Sequence, residues 1–243
     1  MSTLRYAKIT KKEKDPAVKI IQILLDNNAD PNKEDIYGLI ALHHAAMRDN
    51  GEIAKLLVSG GGNIDGLDKQ QSTPLHIAAT YGNTNVLEIL LQAGANLRLQ
   101  DEKDQNALHK AASSGNLRTI KIILDCADEK ILDKIMKQRD RDGNNPLMLA
   151  VASGCFECLQ ILVSRFGSAE YMAVSNNHGE YPIHMGVRSG SKDIIELLSS
   201  HGAYLNQTNV LAQTPVYLAA ECPLDNESGT GQNLGVIKFL INK

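Results

Sequence analysis

A twelve-residue phrase recurs along this chain, and recurrence at a fixed spacing leaves few folds open. STPLHIAATYGN (72–83) returns as QNALHKAASSGN (105–116) and as LIALHHAAMRDN (39–50). On the T-P-L-H frame the Thr position is filled by Ile40, Thr73, Asn106, Asn145, Tyr181 and Thr214, in steps of 33, 33, 39, 36 and 33 residues. A degenerate copy, STLRYA, opens the chain with Ser2, Leu4 and Ala7 in the Thr, Leu and Ala positions. Five residues before the Thr position of each later copy stands an acid or its amide: Asp35, Asp68, Asp101, Asp140, Asn176 and Asn209. A second marker trails the motif, as NNADPN (27–32), SGGGNID (59–65), QAGANL (92–97) and SHGAYLN (200–206).

Each part of the unit has a physical task. Thr-Pro supplies an N-cap oxygen and a first-turn residue whose φ is already near helical. Leu and the Ala pair then predict a short helix with one small face that a neighbour can approach closely. Gly82, Gly115, Gly154 and Gly190 stand where that helix must stop, and glycine takes the left-handed C′ conformation at least cost. A second apolar helix follows, as in NVLEILLQ (85–92) and DIIELLSS (193–200). One such unit cannot bury its apolar face alone, so the copies must stack. Aromatics are 4% of the chain and Trp is absent, which suits helices packed through Leu, Ile, Val and Ala.

The T-P-L-H-x-A-A phrase, the glycine stop, the paired helices and the G-A marker at a 33-residue period resemble the ankyrin repeat over essentially the whole chain. The resemblance implies an all-α solenoid, an L-shaped stack of helix pairs with hairpin-like loops along one edge. Seven copies are expected, at about 1–34, 35–67, 68–100, 101–139, 140–175, 176–208 and 209–243. The fourth exceeds a 33-residue step by six (39 against 33), within ADEKILDKIMKQ (127–138), which lengthens its second helix or the loop after it. The fifth carries Met148 in the His position and a longer ending, FGSAEYMAVS; the seventh carries Tyr217 there and the insert ECPLDNESGTGQ. The first has a Lys-rich segment, KITKKEKDP, between its helices. NLGVIKFLINK reads as an ordinary internal second helix with no polar cap, as expected for a fragment of a longer array.

Two constellations raise the question of chemistry. Cys155 and Cys158 have C-x-x-C spacing, but the frame makes Cys155 the opening residue of a second helix and puts Cys158 where Val86 and Ile194 fall. A zinc site needs four ligands and no second pair exists; thioredoxin-like chemistry calls for a sheet that is not predicted. Packing is the expected role. With Cys126 and Cys222 they make four cysteines without a secretory signal, which points to reduced thiols in the cytoplasm. His43, His76, His109 and His184 recur in register, one per copy at about 10 Å steps, too far apart to share an ion. The resemblance implies that each imidazole bonds the neighbouring turn. No nucleophile elbow, P-loop, H-E-x-x-H or EF-hand loop is present. The chain is therefore expected to be no enzyme and to hold no metal or cofactor.

A net charge of −3 gives no basic field for nucleic acid, and no run of about 18 apolar residues inserts in a membrane. The expected partner is another protein. The resemblance puts its site on the concave side, at exposed first-helix positions and loop tips. The helix positions are His44, Met47 and Arg48, Thr80 and Tyr81, Ser113 and Ser114, Ala152 and Ser153, Arg188 and Ser189. The tips add Tyr37, Lys69, Gln70, Glu102, Lys103, Arg141 and His178. A second reading comes from segments 118–154 and 179–198, which resemble parts of the cytosolic ankyrin arrays of TRPA-type cation channels.

Overall fold

Two parallel rows of helices build the molecule. The computed structural model describes residues 16–167, 169–221 and 232–241. The opening STLRYA, KITKKEKD and residues 222–231 of the seventh-copy insert lie outside the described residues. The chain begins in α1 (Pro16–Asp26) and continues in pairs: α2 (Ala41–Met47) with α3 (Gly51–Ser59), α4 (Pro74–Tyr81) with α5 (Thr84–Gln92), and α6 (Ala107–Ser113) with α7 (Leu117–Cys126). An extra helix, α8 (Glu129–Lys137), precedes the pair α9 (Pro146–Ala152) and α10 (Phe156–Phe166). Then come the short α11 (Ala169–Met172), the pair α12 (Pro182–Arg188) and α13 (Lys192–Ser200), and finally α14 (Pro215–Glu221) with α15 (Gln232–Ile241). No strand occurs among the described residues.

The first helices of the pairs pack in one row, α2 to α4 to α6 to α9 to α12 to α14. The second helices form the other, α1 to α3 to α5 to α7 to α10 to α13 to α15. Small residues allow the inner row to close up: Ala46, Ala78, Ala79, Ala111 and Ala112 have no exposed surface. Between the rows lie Leu75, Leu108 and Leu147, with Leu87, Leu90, Ile120 and Ile123 from the outer helices, all fully or almost fully buried. Each contributes about 1.5–3 kcal/mol by leaving water. The helix ends follow the motif. Thr73 Oγ1 accepts the N–H of His76 at 3.3 Å, Pro74 opens α4, and Gly82 stops it at φ +71°. A Cβ on Gly82 would stand 2.9 Å from the amide oxygen of Asn116, so the next copy occupies that space.

The long fourth copy does not extend its second helix. α7 ends at Cys126, Asp128 accepts the N–H of Ile131 at 2.8 Å, and a third helix, α8, starts from that cap. Leu132, Ile135 and Met136 sink one face of α8 into the core. The longer fifth copy answers it with α11, where Tyr171 and Met172 are buried. Tyr171 Oη donates to Asp133 on α8 at 3.2 Å, and its ring meets Phe166 edge-on at 6.0 Å. Burial, then the charge of Asp133, pushes the Tyr171 hydroxyl up to about 12. The two insertions are one packed shelf.

Candidate functional site

The loops that join successive copies are built around the acid or amide five residues before the Thr position. Asp68 Oδ1 accepts the N–H groups of Gln70 and Ser72, both at 2.8 Å. Asp35, Asp101, Asp140, Asn176 and Asn209 make the same two bonds, at 2.7–3.1 Å. Each loop becomes a closed finger. Its turn needs positive φ, and Gln71, Asp104 and Ala212 accept it as well as glycines. The fingers are stitched to one another by backbone: Lys69 N–H to Tyr37 carbonyl at 3.1 Å, then Glu102 to Gln70, Arg141 to Lys103 and Asn177 to Asp142 at 2.9 Å, and Val210 to His178 at 3.3 Å.

The histidines brace this row from below. In His43, His76, His109 and His184, Nδ1 accepts the N–H of the residue at the Thr position, at 3.1–3.2 Å. That contact puts the proton on Nε2, which donates to the carbonyl of Ser72, Gln105, Asn144 and Gln213 in the following copy, at 3.0–3.2 Å. A neutral imidazole is required, and burial lowers all four, His109 to about 4. Where Met148 replaces the histidine, Asn176 Nδ2 reaches Asn144 Oδ1 at 3.0 Å and ties the copies at that step.

Sixteen of the eighteen side chains singled out from the sequence are exposed: Tyr37, His44, Met47, Arg48, Lys69, Gln70, Tyr81, Glu102, Lys103, Ser113, Ser114, Arg141, Ala152, Ser153, His178 and Arg188. Thr80 and Ser189 are half-buried, their hydroxyls donating to the His76 carbonyl at 2.9 Å and the Gly186 carbonyl at 2.7 Å. Not all of the others stand free. Arg188 pairs with Glu180 at 2.5 Å, His44 lies 3.4 Å from Asp35, and Arg141 reaches back to the Glu102 carbonyl of the preceding finger. Lys110, which sequence reasoning passed over, pairs with the buried Asp101 at 2.5 Å. Burial alone pushes the Asp101 carboxyl up, but Lys110 and the N–H groups of Gln105 and Lys103 outweigh it and hold it below its usual value.

The tips at the two ends of the row differ from the middle. Ile36 and Tyr37 in the first finger are 76% and 64% exposed, and Val210 and Leu211 in the last are 69% and 72% exposed. The fingers between carry Lys69–Gln70, Glu102–Lys103, Arg141–Asp142 and Asn177–His178 in those positions. The repeat frame alone marks this contrast, yet Ile36, Val210 and Leu211 were not among the expected site residues.

The cysteines correct one expectation and meet another. Cys158 is fully buried, like Val86 and Ile194. The thiols of Cys155 and Cys158, expected to be reduced, are joined in a disulfide. The N-cap and third residue of α10 bring their Cα atoms to 5.3 Å, within the span of such a bond. Among the described residues no group of three or more His, Cys, Asp or Glu side chains could hold a metal ion, and no helix is long and apolar enough to cross a membrane.

Known proteins share this construction. NF-kappa-B inhibitor cactus of Drosophila melanogaster is 27% identical over 34% of this chain and 22% of its own length. Its Drosophila yakuba counterpart gives 27% over 34% and 23%. The chain thus spans less than a quarter of these curated relatives. The ankyrin repeat domain of Bcl-3, a member of the IkappaB family, superposes with a TM-score of 0.69 at 27% identity, over 84% of this chain and 86% of that one. The human ASB11 ankyrin repeat domain gives 0.71 at 20% identity, over 94% and 97%, a likeness of fold. The three-copy ankyrin repeat family profile matches residues 11–101 and 94–174, and the single-repeat profile residues 178–210. With period, fingers, histidine braces and family profiles in agreement, this chain belongs to the ankyrin-repeat family.

Proposed function

We propose that this chain is a non-enzymatic protein-interaction scaffold, working in the cytoplasm, that holds a protein partner across its finger tips and the exposed side of its inner helices. The observation that carries the reading is the exposure of large apolar side chains on a braced backbone. Ile36, Tyr37, Val210 and Leu211 stand at finger tips whose turns are closed by Asp35 and Asn209. Apolar groups held in water by a fixed frame cost stability, and covering them is the way a partner is recognised. The ordering is already done in the free molecule, so less entropy is lost on binding. Relatives support the same class of role: cactus is by name an inhibitor of NF-kappa-B. The resemblance of segments 118–154 and 179–198 to channel arrays has no structural observation in its favour.

Tyr81 and Arg48, each eight residues after its Thr position, test the inner face. A partner captured from cytosol and identified is titrated against the Tyr81→Ala, Arg48→Ala double variant. Its affinity is expected to fall tenfold or more, by about 2 kcal/mol, with stability changed by less than about 1 kcal/mol. The control is Glu88→Ala, on the exposed side of α5. Undiminished affinity in the double variant with loss in the control moves the site to the outer helices.

A further inference from the structure

Cys155 occupies a position that does something else in the earlier copies. The residue after the helix-stop is Asn83 in the third copy and Asn116 in the fourth. Their amides reach back across the stack, Asn83 Nδ2 to the Ala46 carbonyl at 2.6 Å and Asn116 Nδ2 to the Ala79 carbonyl at 3.0 Å. A cysteine cannot span that gap, so the junction between the fourth and fifth copies lacks the amide bridge. Cys155 turns instead toward its own helix. It is the N-cap of α10, an eleven-residue helix, and its Sγ accepts the N–H of Cys158 at 3.3 Å. An N–H aimed at a sulfur in the first turn of a helix is the contact that stabilises a thiolate. Cys155 is half-buried and reachable, whereas Cys158 is fully buried. A small reagent meets one sulfur of the pair and not the other. Ser191, in the same position of the sixth copy, caps its helix through Ile194 at 3.4 Å but has no partner of this kind at its third residue.

We propose that Cys155 and Cys158 are a reversible redox modification site, with Cys155 as the exchanging sulfur, Cys158 as the resolving one, and a small-molecule disulfide as the oxidant. The Cys155 thiolate attacks one sulfur of that disulfide, a mixed disulfide forms, and one thiolate leaves. Cys158 gives its proton to that thiolate, attacks Cys155 Sγ, and expels the second. Two electrons pass from the cysteine pair to the reagent, which departs as one thiol and one thiolate. The return reaction with a dithiol opens the bond. The closed form is the one in the structure.

The full chain is equilibrated in buffers of increasing oxidised-to-reduced glutathione ratio, quenched by alkylation and mapped by mass spectrometry over residues 154–166. The expected result is loss of two hydrogens from that peptide at oxidising ratios, with both alkylation sites disappearing together, and full recovery in dithiothreitol without denaturant. In Cys158→Ala the glutathione adduct is expected to remain on Cys155. Should that variant fail to fold, the wild-type mass measurement still decides. A dithiol that persists in oxidised glutathione overturns the proposal. So does a bond that resists dithiothreitol in the folded chain, which would be a fixed cross-link, or oxidation that stops at a mixed disulfide in the wild type.

Discussion

Asp49 caps a helix that belongs to the next copy. Its carboxylate accepts the N–H of Val86, in the first turn of α5, at 3.0 Å, and also the side-chain amide of Asn85 at 2.7 Å. To do so it takes the left-handed conformation, φ 51°, at the position where Gly82, Gly115, Gly154 and Gly190 stand in later copies. Alanine there removes the cap and keeps the strain, so Asp49→Ala is expected to cost about 1–3 kcal/mol. Asp49→Gly removes both and is expected to lie about 1 kcal/mol above the alanine variant. Urea unfolding of the two side by side checks the order. Equal stability would mean that the backbone at Asp49 carries no strain.

The histidine braces make the stack sensitive to acid. His109 has its proton affinity lowered to about 4 by burial, and His43, His76 and His184 are lowered in the same direction. The unfolded chain binds these protons near the ordinary value of 6.5, so it holds more of them than the folded chain between about 6.5 and 4. Stability is therefore full above that window and falls as pH drops through it, by on the order of 3 kcal/mol for His109 alone. Asp101, lowered below 3.8, loses its contribution only at still lower pH. Replacing His109 by Met, the residue the fifth copy carries, is expected to reduce the pH slope of unfolding free energy by close to one proton. An unchanged slope would clear His109 of the effect.

Cys158 is fully buried in the disulfide-bonded form, at a core position of the repeat frame. In reducing buffer, Cys158→Val is expected to change stability by less than about 1.5 kcal/mol. Cys158→Asp puts a carboxylate at a position with no exposed surface and is expected to cost several kcal/mol. Thermal melts of both variants decide, and matching melts would place residue 158 at the surface.

The shelf made by α8 and α11 is held by packing more than by its hydrogen bond. Tyr171→Phe removes only the contact to Asp133, which keeps Lys137 at 2.8 Å, and is expected to cost about 0.5–1.5 kcal/mol. Tyr171→Ala also empties the space beside Phe166 and is expected to cost about 3 kcal/mol or more. Chemical denaturation separates the two, and similar losses would assign the stability to the hydroxyl.

The parts of the fold that were legible are those where one residue type serves one backbone task in every copy. Asp35 through Asn209 recur because each must close a finger, and His43, His76, His109 and His184 because each must join a helix start to the next turn. Parts that depend on a single partner were not. The six extra residues were visible, but Asp128 turning the chain into α8 was decided by the apolar face that Leu132, Ile135 and Met136 could bury. Asp49 stands where later copies carry glycine, and its task, capping at Val86, lies 37 residues ahead. The cysteine spacing was visible and its register correct, while the bond depends on the cap geometry of α10. At the candidate site, exposure followed from the frame, but the pairing of Arg188 with Glu180 is tertiary and left no sequence signal.

The finger ladder has a mechanical consequence. Its five backbone bonds run along the axis of the stack, each crossing one step, from Tyr37–Lys69 to His178–Val210. Under tension applied at the two ends the five junctions are loaded in series, and within each one the finger bond shares the force with a histidine brace or the Asn176–Asn144 tie and with the packed helices. Each copy touches only its neighbours, so the array is expected to pay out length in copy-sized increments where a sheet pulled in shear holds and then ruptures.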